Sequence, residues 1–218
     1  MTKITNNPLS SVILPIMSYR DKLARNIPLF YIAEFFAELL FIIPVFVAYE
    51  RQFLTFGQMG ILAALRFAIT IILELPTGAF ADLAGRKMSV ALGLLLNTVG
   101  LSIQAFAPSV IPFVAGTVMR AVGDSFTSGP AVALAYDSLK ELSKEKEFGK
   151  VRANVVLIVQ ASIMLSSVFA GYMYNVWSGL PYLATAISIF AGSMLYLFMQ
   201  ELTIDIEKWL NGNYVLMT

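Results

Sequence analysis

Long apolar runs alternate with short polar segments along the whole chain. Six runs have the length that a helix needs to cross the hydrocarbon core of a bilayer, about 20 residues. Their continuity favours helices, because the strands of a membrane barrel alternate apolar and polar side chains in segments of about ten residues. A chain in lipid must also satisfy its own backbone hydrogen bonds. We therefore predict six transmembrane helices, over residues 28–49, 58–80, 88–107, 111–136, 151–174 and 180–200.

Lysine and arginine lie almost entirely in alternate polar segments. The first, third, fifth and last segments contain twelve of them, whereas the second, fourth and sixth contain only Arg51. Basic residues mark the cytoplasmic side of a membrane protein, so both termini are predicted to be cytoplasmic. This divides the chain into a cytoplasmic N-terminal segment (1–27), a six-helix bundle (28–200) and a cytoplasmic tail or the start of a central linker (201–218).

Composition supports the same class of protein and excludes several others. Hydrophobic residues make up 58% of the 218 positions and charged residues 13%, against about 25% charged residues in soluble domains. The chain has no cysteine and no histidine, which removes thiolate chemistry, Ser-His-Asp hydrolysis and metal-histidine sites. It also lacks a glycine-rich nucleotide-binding loop. We expect no enzymatic activity, no cofactor, no metal and no nucleic-acid partner.

Two polar segments are each open to two interpretations. Residues 1–27 do not form a cleavable signal peptide, because the apolar stretch is short and no small-residue cleavage site follows it. They are compatible with a short interfacial helix or with a disordered tail. Residues 137–150 could form a surface helix that begins at Asp137 or Ser138. We favour a solvated connector there.

A short charged stretch between the second and third spans combines Gly78, Asp82, Gly85, Arg86 and Lys87. A tight turn between antiparallel helices accounts for the glycines, which permit close packing or a positive φ. The positive-inside rule accounts for the basic residues. Neither reason accounts for an acidic residue at the membrane edge. The stretch 78–87 is therefore interpreted as a functional hairpin.

The order and spacing of these residues resemble the signature of the major facilitator superfamily, with Leu83 in place of a usual basic residue. The preceding residue Glu74 also matches the sequence pattern of the family. The resemblance implies an all-α membrane protein whose six transmembrane helices form a 3+3 inverted-repeat bundle, one half of that family's fold. It also implies the inner membrane of a prokaryote.

In that family the hairpin acts as a conformational latch between two halves. The resemblance implies that Asp82 faces the N-terminus of a helix in the second half, where the helix dipole favours an anion. It also implies that Arg86 binds nearby carboxylates and holds the cytoplasmic side closed. The latch residues carried over from the motif are Glu74, Gly78, Asp82, Gly85, Arg86 and Lys87.

Ionisable residues at membrane depth are costly and mark function. Glu34 and Glu38 lie one turn apart on the first span, Arg66 lies on the second, and Arg120 and Asp124 lie one turn apart on the fourth. The first and fourth spans are equivalent in an inverted repeat and line its central cavity. We predict that these five residues form the substrate or proton site.

Burial disfavours the charged form of a carboxylate, so Glu34 or Glu38 is the preferred proton carrier. Arg120 is expected to pair with Asp124, either within the site or as a purely structural ion pair. Glu74 lies near the inner interface, and the latch is its favoured role.

The leading interpretation is a secondary transporter of small solutes that works by alternating access and is a candidate for proton coupling. Its expected partners are membrane lipid, a small-molecule substrate and protons. Family members usually have twelve spans, so the missing second half or a second copy of the chain is also expected. A fragment, a truncated inactive gene product and a homodimer are the three explanations, in that order. The alternative function is a non-transporting half-transporter that serves as a membrane scaffold or partner subunit.

Overall fold

The computed structural model describes residues 19–201, and all regular secondary structure in that range is helical. Residues 19–24 form a helical segment before the first labelled helix. The labelled helices are α1 (Asn26–Ala37), α2 (Phe46–Glu50), α3 (Phe56–Ala84), α4 (Arg86–Ala105), α5 (Val110–Thr127), α6 (Pro130–Glu141), α7 (Phe148–Val176) and α8 (Leu180–Leu197). A 3₁₀ turn, Glu145–Glu147, leads directly into α7.

Four of these helices are long and apolar enough to cross a membrane. They are α3, α4, α7 with its preceding turn, and α8, with mean hydropathies between 1.5 and 1.9. They coincide with the second, third, fifth and sixth predicted spans. The long apolar runs of the sequence therefore do form helices of membrane-spanning length.

The first and fourth predicted spans are interrupted. Residues 38–45 separate α1 from α2, so the prediction of one continuous helix over 28–49 is wrong. Pro44 lies in this break, lacks an N–H group and disfavours helical geometry at the residue before it. In the fourth span α5 ends at Thr127 and α6 begins at Pro130. Proline is well accommodated at a first helical position, which fits Pro130 at the start of α6.

The stretch 78–87 is not a hairpin over its whole length. Helix α3 continues through Gly78 and Asp82 and ends at Ala84. The chain turns at Gly85, whose φ of 98° is one that side-chain-bearing residues rarely adopt. The alanine- and leucine-rich residues before it favour helix, so only one of the two motif glycines is a turn residue.

Neither interpretation of residues 137–150 is fully correct. Helix α6 extends to Glu141, and α7 has already begun at Phe148. The connection between them is therefore only six residues long and includes the 3₁₀ turn. The interfacial helix considered for the N-terminal segment falls almost entirely on residues 1–18, which lie outside the described part of the chain.

Helices α4 and α5 approach each other through two pairs of glycines. A Cβ atom on Gly93 would lie 2.6 Å from the carbonyl oxygen of Gly123, and one on Gly100 would lie 2.6 Å from that of Gly116. Small residues allow helix backbones to pack this closely in a membrane. Gly116 and Gly123 therefore lie where the α4 and α5 backbones come closest.

Helix α8 packs against α1 and α4 and completes the core. Its Ser188 and Ser193 hydroxyls donate to the carbonyl groups of Phe36 and Ala91, at 2.6 and 2.9 Å. Two buried apolar clusters lie in this core, one around Phe30 and Tyr196 and the other around Tyr49 and Phe113. Both contact Leu94.

One end of the bundle, which we call the basic end, contains the α3–α4 turn and the last residues of α8. Here Arg86 forms an ion pair with Asp137 of α6. The carboxylate of Glu201 accepts hydrogen bonds from the backbone amides of Arg86 and Lys87, at 3.1 and 3.3 Å. It therefore lies at the positive end of the α4 dipole. Asn26 holds the neighbouring residue, Gln200, through its side-chain amide.

Candidate functional site

A cavity of about 400 Å³ lies beside the break between α1 and α2 and extends to α3, α4, α5 and α8. Its charged lining residues are Glu38, Glu50, Arg66, Arg120 and Asp124. Asn97, Thr127 and Tyr182 add polar groups, and apolar side chains complete the wall. The volume falls within the range of small-molecule sites, about 300–1,000 Å³. Four of the five predicted site residues therefore line one cavity.

The two acidic residues of the first span have different surroundings. Glu38 is the C-cap of α1, with φ −105° and ψ 10°, and it lines the cavity. Glu34 instead accepts a hydrogen bond from the Tyr196 hydroxyl of α8 at 2.5 Å, and it is not among the residues that line the cavity. Helix α1 ends at Ala37, between the two residues. Although the sequence predicted that Glu34 and Glu38 belong to one site, only Glu38 lines the cavity.

The expected pairing of Arg120 with Asp124 is wrong. Asp124 accepts hydrogen bonds from Arg66 of α3, with Nε at 3.0 Å and Nη2 at 2.6 Å from the same carboxylate oxygen. The Thr70 hydroxyl lies 3.1 Å from the carbonyl oxygen of Ala121, which is consistent with the register that brings Arg66 to Asp124. Because α3 crosses α5 here, Asp124 pairs with Arg66 of α3 and not with Arg120, its neighbour on α5.

Arg120 turns toward α4 instead. Its Nη1 group donates to the side-chain oxygen of Gln104 at 3.1 Å, and Gln104 in turn donates to the Thr117 hydroxyl at 2.8 Å. The Nε atom of Arg120 is buried and has no hydrogen-bond partner among residues 19–201. Arg120 thus keeps donor capacity that the described protein groups do not use.

A second cavity of about 380 Å³ adjoins the first. It shares Phe46, Glu50, Arg66 and Arg120 with the first cavity and adds Gln104 to its wall. The two arginines therefore border both spaces. A solute in either cavity would be close to the same pair of guanidinium groups.

Sequence reasoning missed several of the lining residues. Glu50 lies just beyond the predicted first span and was assigned to a polar segment, although α2 includes it. Asn97 and Gln104 lie seven residues apart on the third span, and their polarity in an apolar run was a usable signal. Tyr182 offered no such signal, because aromatic residues are common throughout the chain.

Four of the six latch residues lie at the basic end, namely Asp82, Gly85, Arg86 and Lys87. Asp82 is exposed and forms no hydrogen bond or ion pair within residues 19–201. Arg86 does contact a carboxylate, that of Asp137. Glu74 and Gly78 border an open groove of about 290 Å³ above the α5–α6 break. The role of this motif in closing the protein stays a prediction.

Comparison with known proteins agrees with this architecture. The family model described as Major Facilitator Superfamily matches residues 27–207. The chain is also 26% identical over 145 residues to a protein of Bacillus subtilis (strain 168) named "Uncharacterized MFS-type transporter YxaM". That match covers 64% of this chain and 34% of the relative, so the aligned part spans about a third of the relative's length. Because the family model covers most of the chain, this protein belongs to the Major Facilitator Superfamily, a family of membrane transporters.

Proposed function

We propose that this chain is the N-terminal six-helix half of a secondary transporter that moves small solutes by alternating access and couples their movement to protons. The charged cavity lined by Glu38, Arg66, Arg120 and Asp124 is the observation that carries the proposal. Charged groups inside a membrane protein are costly and are retained where they bind substrates or ions. The cavity is the proposed site of both.

The interruptions in the first and fourth spans support this proposal. In many transporters, discontinuous helices surround the substrate site near the bilayer midplane, at corresponding positions of an inverted repeat. Irregular backbone is tolerated at membrane depth where protein or a cavity covers it. Residues 38–45 fit this rule, because Leu40, Ile42 and Ile43 line the cavity. We propose that the six spans form a 3+3 inverted repeat and that both termini lie in the cytoplasm.

Glu38 is the proposed proton carrier. Its side chain forms no ion pair within residues 19–201 and faces the cavity. Glu34 is a weaker candidate, because Tyr196 already occupies its carboxylate. A carboxylate without a cationic partner takes up a proton more readily in a low-dielectric site.

The basic end is the proposed latch. Asp82 is free to meet a helix N-terminus in a second half, or in a second copy of the chain, while Arg86 and Asp137 hold α4 to α6. The substrate, the direction of transport and the choice between symport and antiport depend on that complete assembly. We place the protein in the inner membrane of a prokaryote.

Reconstitution in proteoliposomes of the complete assembly, in which this 218-residue chain is joined to a second six-helix half or present as two copies, tests the transport proposal. A solute library would first be screened for compounds that raise the melting temperature of the purified protein. Each hit is then assayed for uptake driven by a proton gradient and for counterflow without a gradient. Glu38→Gln is expected to abolish gradient-driven uptake, because that process requires proton exchange, while counterflow persists at raised solute concentration despite weaker solute binding in the cavity.

Glu145→Gln is the matched control. It makes the same chemical change at an exposed position in the α6–α7 connection, and it should behave like the original protein. Full gradient-driven uptake by Glu38→Gln would refute the proton carrier. Binding of a hit without any uptake or counterflow would instead support the alternative function, a non-transporting scaffold or partner subunit.

A further inference from the structure

The charges that line the cavity do not balance. Three carboxylates and two guanidinium groups face it. Arg66 and Asp124 neutralise each other, and Glu50 lies close enough to Arg120 and Arg66 for both arginines to act on it. Glu38 is left over, because its side chain forms no hydrogen bond or ion pair with any residue of the described range 19–201. The cavity therefore has one carboxylate without a compensating cation.

The surroundings of Glu38 are negative as well. Glu38 has two acidic neighbours, Glu34 and Asp124. Asp124 pairs with Arg66, whereas Glu34 forms no ion pair within residues 19–201. Glu38 also caps the C-terminus of α1, where the last carbonyl groups of a helix carry partial negative charge. The side chain, its neighbours and the helix end thus contribute the same sign. This end of the cavity favours a positively charged group.

The shape and walls of the cavity favour an organic cation over a metal ion. Its volume of about 400 Å³ is far larger than a single ion requires. Leu40, Ile42 and Ile189 supply apolar wall next to Glu38. Within residues 19–201, no group of three or more acidic, histidine or cysteine side chains is placed to hold a metal.

We propose that the cavity binds a solute with an ammonium group and that Glu38 is the side chain that pairs with this group. The proposal rests on the transport function proposed above and names the substrate class of the same site. In a zwitterionic solute, the carboxylate would lie toward Arg120, the cationic side chain in the cavity wall that does not pair with Asp124. A simple amine would use only the Glu38 end.

The absence of cysteine in this chain allows a direct test. Single cysteines are placed at Ile43 and Thr127, which line the cavity, and at exposed Ser109 as a reference. Each purified variant is reacted with trimethylammonioethyl methanethiosulfonate and with its sulfonatoethyl counterpart. The ratio of the two rates, divided by the ratio at Ser109→Cys, measures the local preference for a cation. Two cavity positions keep the test available if one variant does not fold.

We expect the cavity cysteines to react preferentially with the cationic reagent by about tenfold, the size of a charge effect at this range and an intermediate dielectric. Adding Glu38→Gln should remove most of that preference, and adding Glu145→Gln should leave it unchanged. A ratio equal to that of the reference, or one that survives Glu38→Gln, overturns the proposal. So does failure of both cavity positions to react, because a substrate site must admit a reagent of this size.

The choice of salt separates an ammonium solute from an alkali cation. The labelling is repeated in sodium chloride and in tetramethylammonium chloride at equal ionic strength. Competition by tetramethylammonium is expected, whereas competition by sodium alone would assign the site to an inorganic cation and overturn the organic assignment. Cysteine labelling does not require transport. A preference for the cationic reagent in a protein that shows no uptake would therefore refute the transport proposal alone. Uptake by a protein that shows no such preference would refute the proposed ammonium site alone.

Discussion

Helices α3 and α4 are both apolar enough to cross a membrane, with mean hydropathies of 1.8 and 1.5, but they are packed very differently. Half of the most apolar stretch of α4 is buried, against 6% for α3. Glycine pairs bring α4 against α5, whereas α3 meets α5 mainly through polar groups on Arg66, Thr70 and Thr77. Hydropathy thus indicates that a segment enters the bilayer, and small or polar residues decide what it packs against.

The two interfaces also differ in the forces that hold them. Lipid is as apolar as a leucine side chain, so helices in a membrane associate through close packing and hydrogen bonds. The α4–α5 interface relies on close packing of backbone. The α3–α5 interface relies on a few polar contacts and one aromatic contact, between Phe80 and Phe126. We expect the first to be rigid and the second to be more easily separated.

The largest expected difference between α3 and α4 is in the change of unfolding free energy caused by one Gly→Ala substitution in each helix. Gly100→Ala places a Cβ atom 2.6 Å from the carbonyl oxygen of Gly116, and this overpacking should cost about 3 kcal/mol. Gly60→Ala on α3 meets nothing within 4 Å and should stabilise the helix by about 1 kcal/mol. Unfolding in mixed detergent micelles measures both free energies. Equal effects would contradict the packing difference.

A smaller effect is expected at the ion pair between α3 and α5. A double-mutant cycle with Arg66→Gln and Asp124→Asn should give a coupling free energy of about 2 kcal/mol, less than a fully buried pair would show. The two side chains keep 35% and 30% of their surface exposed, which weakens the pair. The same cycle on Arg120 and Asp124 is the control and should give a smaller coupling. A larger coupling in the control would restore the pairing expected from sequence.

The smallest expected effect concerns two hydroxyl groups, each of which lies close to a backbone carbonyl group of a neighbouring helix. The Thr77 hydroxyl lies 2.8 Å from the carbonyl oxygen of Ser125, and the Ser193 hydroxyl lies 2.9 Å from that of Ala91. Loss of such a bond in a membrane protein costs about 0.6 kcal/mol. Thr77→Val should loosen α3 and speed hydrogen exchange there, whereas Ser193→Ala should leave exchange slow. Faster exchange in α8 alone would contradict the expectation that α3 is the helix held more loosely in the bundle.

The apolar runs of the sequence were sufficient to predict the long helices. They were not sufficient to predict where the first and fourth spans are interrupted. The second, third, fifth and sixth spans are helical near their predicted limits, and the second stays helical although Pro76 lies inside it. The first span contains Pro44, which a prediction based on the length of the apolar run did not take into account. The α3 helix exceeds its prediction because a charged residue at a membrane edge does not by itself end a helix.

The positions of the charged residues were predicted better than their pairings. Membrane depth, charge and the inverted repeat of the family pointed to Glu38, Arg66, Arg120 and Asp124, and all four line the cavity. Their role as a substrate or proton site stays a prediction. Spacing of four residues shows which side chains can meet on one helix, but it carries no information about a neighbour on another helix. The contact between Arg66 and Asp124 depends on how α3 crosses α5, and no local pattern encodes that crossing.

The attachment of Gln200 and Glu201 to Asn26 and to the first amides of α4 makes the exit of the chain from the bundle a fixed anchor point. Residue 201 therefore lies directly beside the α3–α4 turn. A second half joined to the chain through this point would meet the basic end as an intramolecular partner, at an effective concentration set by the length of the connection and in the millimolar range for short flexible linkers. Even a weak contact would then be largely occupied.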